Sequence, residues 1–510
     1  MKSILRNIKI CAVVVATILS AASCLTKYPQ SAILEKDAMK NYNDAEQMLT
    51  GIYALLKSSS LYSGYLTLLP DVQCDMVYAV DRFSNVYGNI WQWDIRSTTA
   101  EITSVYGSLY NVISNCNFFL ERIDAVIAAE TNDDNIDTLT HYKGEVYAIR
   151  ALAYSELIKC FCKDYKGDDE AKQELGVVLR RYYSAEEPSV RASLYDSYQF
   201  VLADLAMAER LLDEEADAAS SVYMTRAMAE ALHARVALYM RDWESAVEYS
   251  SRLIDNSSFA LSSVNYANVV PPYSDYDVMW GYDISSEIIW RLGFTTTSYG
   301  GALGQPFLNF NIDYYYFYPD YVPAESALRL YGSGDARHDA FFYYSPTGYD
   351  GYECYLLVKY YGNRDFIDNS MIYHVTMPKP FRLSEQYLIR AEAYCRLGEY
   401  SKASKDMTKL RQARYTSGGG INLTAANFLQ QISDERVREL FMEGFRLHDL
   451  KRWGSEYNNG VSFERTPQQH SLVEGSSLKI MYDNPLFVWP IPQHELEAPG
   501  SQVVPNESNN

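Results

Sequence analysis

Apolar residues recur at three- and four-residue steps over several stretches of this chain, and each such stretch predicts a helix with one buried stripe. The first carries Ala45, Met48, Leu49, Ile52 and Leu55, with Asn43 or Asp44 as N-cap and an end at Leu56. Residues 58–98 are mixed and irregular. From Thr99 the period resumes with Val105, Leu109, Val112, Ile113 and Leu120; a polar, acidic break spans Thr131 to Asn135, and His141 to Phe161 is again helical. The densest pattern covers Ser433 to Gly454. Val437, Leu440, Phe441, Gly444, Leu447 and Leu450 make its stripe. Ser433 reads as N-cap, Asp434 and Glu435 suit the positive end of the helix dipole, Lys451 and Arg452 suit the other end, and Gly454 stands at the C-terminal cap. Beside the stripe, Glu439, Glu443, Arg446, Asp449 and Arg452 form a ladder that can pair along one continuous helix, and Gly444 lets a neighbouring helix approach.

A short pattern repeats. Arg150-Ala151-x-Ala153-Tyr154 returns as Arg390-Ala391-x-Ala393-Tyr394, and more weakly as His233-Ala234-x-Val236-Ala237. Asp242-Trp243-x-x-Ala246 follows the middle copy and Glu399-Tyr400-x-x-Ala403 the last, at matching spacing. Small residues where two helices touch, an aromatic at the turn and Ala on the second helix are the marks of tetratricopeptide-like pairs, which bury their faces by stacking. The copies lie far apart, so long insertions loop out of the scaffold. The largest, about 256–380, is poor in helical period and holds eighteen of the 45 tyrosines between Tyr266 and Tyr361. Loops on a rigid scaffold commonly carry function.

Composition narrows the possible partners. With 45 basic and 65 acidic residues the net charge is −20, and no basic tract is present to neutralise phosphates, which argues against nucleic acid. At the N-terminus, Lys2, Arg6 and Lys9 precede an apolar run from Ile10 to Leu19, too short to span a bilayer, and small residues lead to Cys24. This arrangement resembles a bacterial lipoprotein signal with Cys24 as the acylated first residue. Ordinary secretory cleavage near Ala22 is the alternative. Six further cysteines are scattered over the mature chain; Cys160 and Cys162 point in different directions on a helix, and buried free thiols are the default reading. No G-x-S-x-G, H-E-x-x-H or P-loop pattern appears, and the seven histidines include no pair at metal-ligand spacing, so no cofactor, metal or catalytic residue is expected. Glu439 and Glu443 read as ion-paired structural carboxylates rather than as an acid–base pair.

The motif Glu435-Arg436-x-Arg438-Glu439-Leu440-x-x-Glu443-Gly444-x-Arg446-x-x-Asp449-Leu450-x-Arg452-Trp453-Gly454 resembles the signature of the SusD/RagB family of outer-membrane, nutrient-binding lipoproteins. Phe381 to Leu397, through Arg382, Glu385, Leu388, Ala391, Glu392 and Ala393, is similar to a second helix of that family, and Pro490 to Leu496 to its closing segment. The resemblance implies a mainly α, SusD-like fold: a tetratricopeptide-like helix-pair superhelix with a large, irregular ligand-binding insertion. The layout expected is a signal peptide at 1–23, a helical part at 24–255, a Tyr-rich loop region at 256–380 and C-terminal helices with the signature at 381–510. The resemblance further implies non-catalytic capture of a glycan at the cell surface, lipid anchoring in the outer membrane through Cys24, and delivery to a SusC-like TonB-dependent transporter. Oligopeptide binding within the same kind of system, or a tetratricopeptide scaffold without a small ligand, are the alternatives. Sugar rings lay their C–H faces on flat aromatic side chains, which have few rotors to freeze. The candidates are Trp91, Trp93, Tyr299, Tyr314, Tyr316, Tyr318 and Tyr321, since ligand sites of the family draw aromatics from these two regions. If extended, Tyr314, Tyr316 and Tyr318 share a face; if Trp91 and Trp93 share one, both could equally be core. Asp335-x-Arg337 also resembles a family position, at the end of the insertion, and reads as structural.

Overall fold

The computed structural model describes residues 38–184, 189–213, 217–264 and 273–509. The leader, Cys24 and Tyr266 lie outside the described residues. Eleven helices are needed to place the site: α1 (Tyr42–Leu56), α2 (Tyr65–Val72), α3 (Ala100–Ala129), α4 (Asp133–Phe161), α5 (Leu194–Leu211), α6 (Arg226–Met240), α7 (Trp243–Asp255), α8 (Leu383–Arg396), α9 (Tyr400–Arg414), α10 (Phe428–Glu439) and α11 (Arg446–Trp453). The expected starts move by a few residues. Helix α1 is capped by Asn41, whose Oδ1 accepts the Asp44 amide at 3.1 Å, and α4 by Asn132 in the same way, so the break before α4 shrinks to Glu130–Asn132.

The three copies of the repeat open three stacked helix pairs: α4 on α5, α6 on α7 and α8 on α9, with α7 also packed on α8. The turn between α6 and α7 passes through Arg241 at φ +60°, after which Asp242 caps α7. Two of the pairs are closed by the same device. Arg150 donates Nε and Nη2 to Asp204, both at 2.7 Å, and Arg390 binds Asp406 in the same way at 2.8 and 2.7 Å. In the middle pair, His233 stands where the arginine would be and stacks on Tyr249, ring centroids 3.6 Å apart. Counting from Ala246 and Ala403, Tyr249 occupies the position of Asp406. A flat ring pair thus replaces a charged fork at one step of an otherwise regular stack.

The insertion is more ordered than its sequence suggests. It holds short antiparallel strand pairs: Val77–Ala79 with Tyr321–Pro323, Phe381–Arg382 with Ile288–Trp290, Phe310–Asn311 with Tyr316–Phe317, and Phe342–Pro346 with Glu353–Leu357. Its core is built with distant chain: Leu68, Val77 and Trp91 from one side, and Val437, Phe441 and Met442 from the signature, meet Phe307, Tyr321 and Leu356. The six cysteines among the described residues are free thiols, all buried except Cys354, which is half-buried.

The signature is where the structure departs most from its periodicity. It is not one helix. Ser433 lies inside α10, the helix ends at Glu439, and the chain turns over Leu440–Phe445 before α11 begins. Met442 at φ +58° and Gly444 at φ +83° take left-handed conformations that no continuous helix contains. The cause is α2. A Cβ on Gly444 would stand 2.4 Å from the Leu66 carbonyl oxygen, and Asp71 accepts the amides of Gly444 and Arg446 at 3.0 and 2.8 Å. An aspartate remote in sequence thus caps α11. Burial raises Asp71 to about 7, against the pull of those two donors.

The charge ladder therefore pairs mostly between elements; within it only Asp449 and Arg452 meet along one helix, at 2.9 Å. Glu439 accepts from Arg414 Nε and Nη2 and from Arg382 Nη1, all at 2.9 Å, and from Arg337 at 3.1 Å. Arg337 also forks onto Asp335 at 2.8 Å and reaches Glu435 at 2.7 Å. Glu287 binds Arg382 and Arg414, and Glu443 binds Arg382 and Lys359. Arg446 pairs with Asp75, Arg436 with Asp449, and Arg452 with Glu392, which also accepts the Trp453 indole N–H at 2.9 Å. Burial opposes the charge on Glu439, but Arg414 and Arg382 outweigh it and hold the carboxyl well below its usual range. A carboxylate so held cannot serve as a general acid.

Candidate functional site

The surface feature that stands apart is the tip of the insertion. Asn311 and Asp313 bend the chain after Phe310. The Asn311 side chain accepts the amides of Asp313 and Tyr314 at 3.0 and 3.1 Å, and its carbonyl accepts Tyr315 at 2.8 Å. That is the local turn asparagine favours. Tyr315 sits at φ +58° and the chain returns through Tyr316 and Phe317, giving the register Phe310↔Phe317 and Asn311↔Tyr316. Tyr314, Tyr315 and Tyr316 are left 70, 76 and 45 % exposed. Three neighbouring rings so open to water are an uncommon use of aromatic area.

The hairpin does not hang loose. Phe310 packs on Phe317 at 5.1 Å and on Tyr373 at 5.4 Å, and Phe317 lies 6.4 Å from Tyr361. The Phe310 amide donates to His374 Nε2 at 3.1 Å. Burial lowers His374 to about 4, which keeps the imidazole neutral and its Nε2 an acceptor. A second row follows along the rim: Tyr318 meets Tyr349 edge-on at 5.4 Å, Tyr349 runs parallel to Tyr352, and Tyr352 stacks on His470 at 4.1 Å. Asp320 ties this row to the loop after Val80 by accepting the Ser84 amide at 2.5 Å.

The candidate aromatics divide sharply. Trp91 is fully buried, donates its indole N–H to the Val77 carbonyl at 3.1 Å, and lies under the Arg465 guanidinium. Trp93 is buried between Phe487 and Phe463, with its N–H on the Gln73 carbonyl. Tyr321 is buried with its hydroxyl on Val86 O at 2.7 Å. These three are core: each polar tip is matched to a backbone carbonyl, which is how buried indoles and phenols are accommodated. Tyr318 is half-buried. Tyr314 and Tyr316 are exposed, but the shared face expected of an extended strand is absent, since 312–315 is a turn. Tyr299 is exposed, and Gly300 beside it approaches the Lys57 carbonyl and Ser63. Tyr315 lies within the same aromatic run as the candidates, but nothing in the chain singled out Phe310, Tyr373 or Tyr352. The turn-forming Asn311 and Asp313 were the available signal.

No group of three or more His, Cys, Asp or Glu among the described residues is arranged to hold a metal ion. Among the same residues no helix is long and apolar enough to cross a membrane. What the tip offers is flat apolar faces with hydroxyl rims.

Two family models match the chain: one described as "SusD family" over residues 312–507, and one described as "Starch-binding associating with outer membrane" over residues 30–238. The chain is 24% identical over 488 residues to SusD-like protein P25 of Formosa agariphila, covering 87% of this chain and 89% of that one. It is 24% identical over 489 residues to the starch-binding protein SusD of Bacteroides thetaiotaomicron, with 80% and 81% covered. Among solved structures, a putative sugar binding protein from Bacteroides vulgatus superposes with a TM-score of 0.75 at 25% identity, over 93% of this chain and 100% of that chain. A SusD superfamily protein from Bacteroides thetaiotaomicron gives 0.74 at 23% identity, over 91% and 99%.

Proposed function

Because this chain belongs to the SusD/RagB family, we propose that it captures a glycan at the outer-membrane surface through its tyrosine hairpin and hands it unaltered to a SusC-like TonB-dependent transporter. The observation that carries this reading is the trio Tyr314, Tyr315 and Tyr316, open to solvent on a turn braced by Phe310, Phe317 and Tyr373. A pyranose ring covers such a face with its C–H side, while its hydroxyls stay available to the tyrosine hydroxyls and to water. Bracing matters, because rings already held in place lose little freedom when ligand arrives. The likeness to a starch-binding protein and to a putative sugar binding protein supports the same ligand class. Cys24 would carry the lipid that keeps the protein at the membrane.

Affinity electrophoresis through polysaccharide-containing gels, beside a peptide library, tests the reading. Retardation by at least one polysaccharide is expected, lost in Tyr314→Ala/Tyr316→Ala, with no reducing ends released. Unchanged retardation in the double variant, or capture of peptides alone, would sink it. Cys24→Ser should release the protein from the membrane fraction, and the transporter should co-purify with the wild type.

A further inference from the structure

Away from the hairpin, a cleft of about 580 Å³ opens between α1, the first half of α4 and the segments 221–225 and 290–298. Its volume is in the range of small-molecule sites. Leu49, Ala54 and Leu292 are among its apolar lining, and two tyrosines stand over them. Tyr53 is fixed at both sides of its hydroxyl: it donates to Glu145 Oε2 and accepts the Met224 amide at 2.6 Å. Tyr223 meets Tyr53 edge-on, 5.8 Å between centroids, and is itself 61 % exposed, so its face is open at the mouth. Trp290 also lines the cleft, fully buried, and its indole N–H has no acceptor among the described residues. A buried donor left unpaired costs about 1–3 kcal/mol, so a ligand oxygen placed there would recover it.

The charges indicate what kind of ligand fits. Burial raises Glu145 to about 7 and lowers His141, so both groups that face the cleft from α4 are driven toward their neutral forms. Glu46 and Lys57 carry opposite signs at the rim. A charged ligand gains nothing in such a place, and a purely apolar one leaves the Trp290 N–H unanswered.

We infer that this cleft is a second binding site, separate from the hairpin, for a neutral hydroxyl-bearing ring: a single sugar unit lying against Tyr223 with an oxygen on the Trp290 N–H. The cleft stands on its own geometry; choosing a sugar as the ring rests on the function proposed above. Two sites on one rigid body would let a long glycan be held at two points, which raises avidity without any new contact.

The test follows the indole cross-peaks of the full-length protein in nitrogen–proton spectra, with Trp290 assigned by its loss in Trp290→Phe. Probes are methyl α-glucopyranoside and methyl β-galactopyranoside, with glucuronate as the charged control and cyclohexanol as the apolar one. We expect a glycoside to move the Trp290 cross-peak saturably, and to do so equally in Tyr314→Ala/Tyr316→Ala. Affinity should fall at least about tenfold in Tyr223→Ala, and both controls should bind at least about tenfold more weakly. Saturation transfer to the glycoside, lost in Tyr223→Ala, gives the same answer should Trp290→Phe fail to fold. The inference is overturned if neither glycoside moves the cross-peak, if a control binds as well, if Tyr223→Ala changes nothing, or if the hairpin variant abolishes the shift. Failure of the hairpin reading would show separately, as polysaccharide retardation unaffected by the hairpin variant.

Discussion

Two regions of this molecule invert the usual placement of side chains. Around Glu439, three arginines and their carboxylates are sealed from water; at the tip of the insertion, three tyrosines stand in it. The first region fastens the insertion, through Arg337 and Glu287, to the C-terminal helices, through Arg382, Arg414, Glu435 and Glu439. Buried charges tolerate no slack, since removing one partner leaves the others desolvated and unmatched. The second region tolerates almost anything as far as folding goes, because little is packed on its outer faces. Buried charge pairing is thus concentrated beneath the insertion, while the outer faces of the braced tip are the surface free to vary.

The comparison can be broken most forcibly at Glu439. Glu439→Ala strands Arg337, Arg382 and Arg414 together and should cost about 3–5 kcal/mol in denaturant unfolding; a loss below about 1 kcal/mol would mean the cluster is far wetter than it looks. Next comes His374, which supports the hairpin from beneath. It is held near 4 in the folded protein, against 6.5 when free, so between those values the unfolded chain binds more protons and stability falls as the pH drops. The full swing is about 3 kcal/mol. The advantage of wild type over His374→Gln should therefore shrink between neutral pH and pH 4, and a gap constant with pH would exclude this role. Gly444→Ala, which forces a Cβ toward Leu66 at φ +83°, should cost about 1–3 kcal/mol without touching ligand binding. Smallest on stability is Tyr314→Ala/Tyr316→Ala: within about 0.5 kcal/mol of wild type, while polysaccharide binding is lost. Should that variant unfold instead, the hairpin would be structural and the contrast would collapse.

How much of this was legible beforehand follows from the range of each interaction. Helices α1, α3 and α4 announce themselves, because a stripe is written in neighbouring residues. The repeat was legible for the same reason, even though its middle copy swaps an ion pair for His233 on Tyr249. The turn at Leu440–Phe445 was not, since its cause is Leu66 and Asp71, more than three hundred residues away, and Gly444 fits a helical period as readily as a turn. The partners of Glu439 were hidden likewise: nothing local distinguishes Arg446, its neighbour along the chain, from Arg337, which it actually binds. For the aromatics, residue type alone carries no sign of inside or outside. Trp91 and Tyr314 look equally suited to a sugar until the Val77 carbonyl claims the first and the Asn311 turn lifts out the second.

The shared core beneath the insertion has a consequence for how the chain is made. Residues 68–91, 276–360 and 437–442 must all be present before that core can close. A nascent polypeptide that has emerged only as far as residue 400 holds its whole tyrosine-rich midsection and has nothing to fold it against. Maturation must therefore wait for nearly the entire length to be delivered, and the late-arriving signature acts as the keystone that locks segments synthesised long before it.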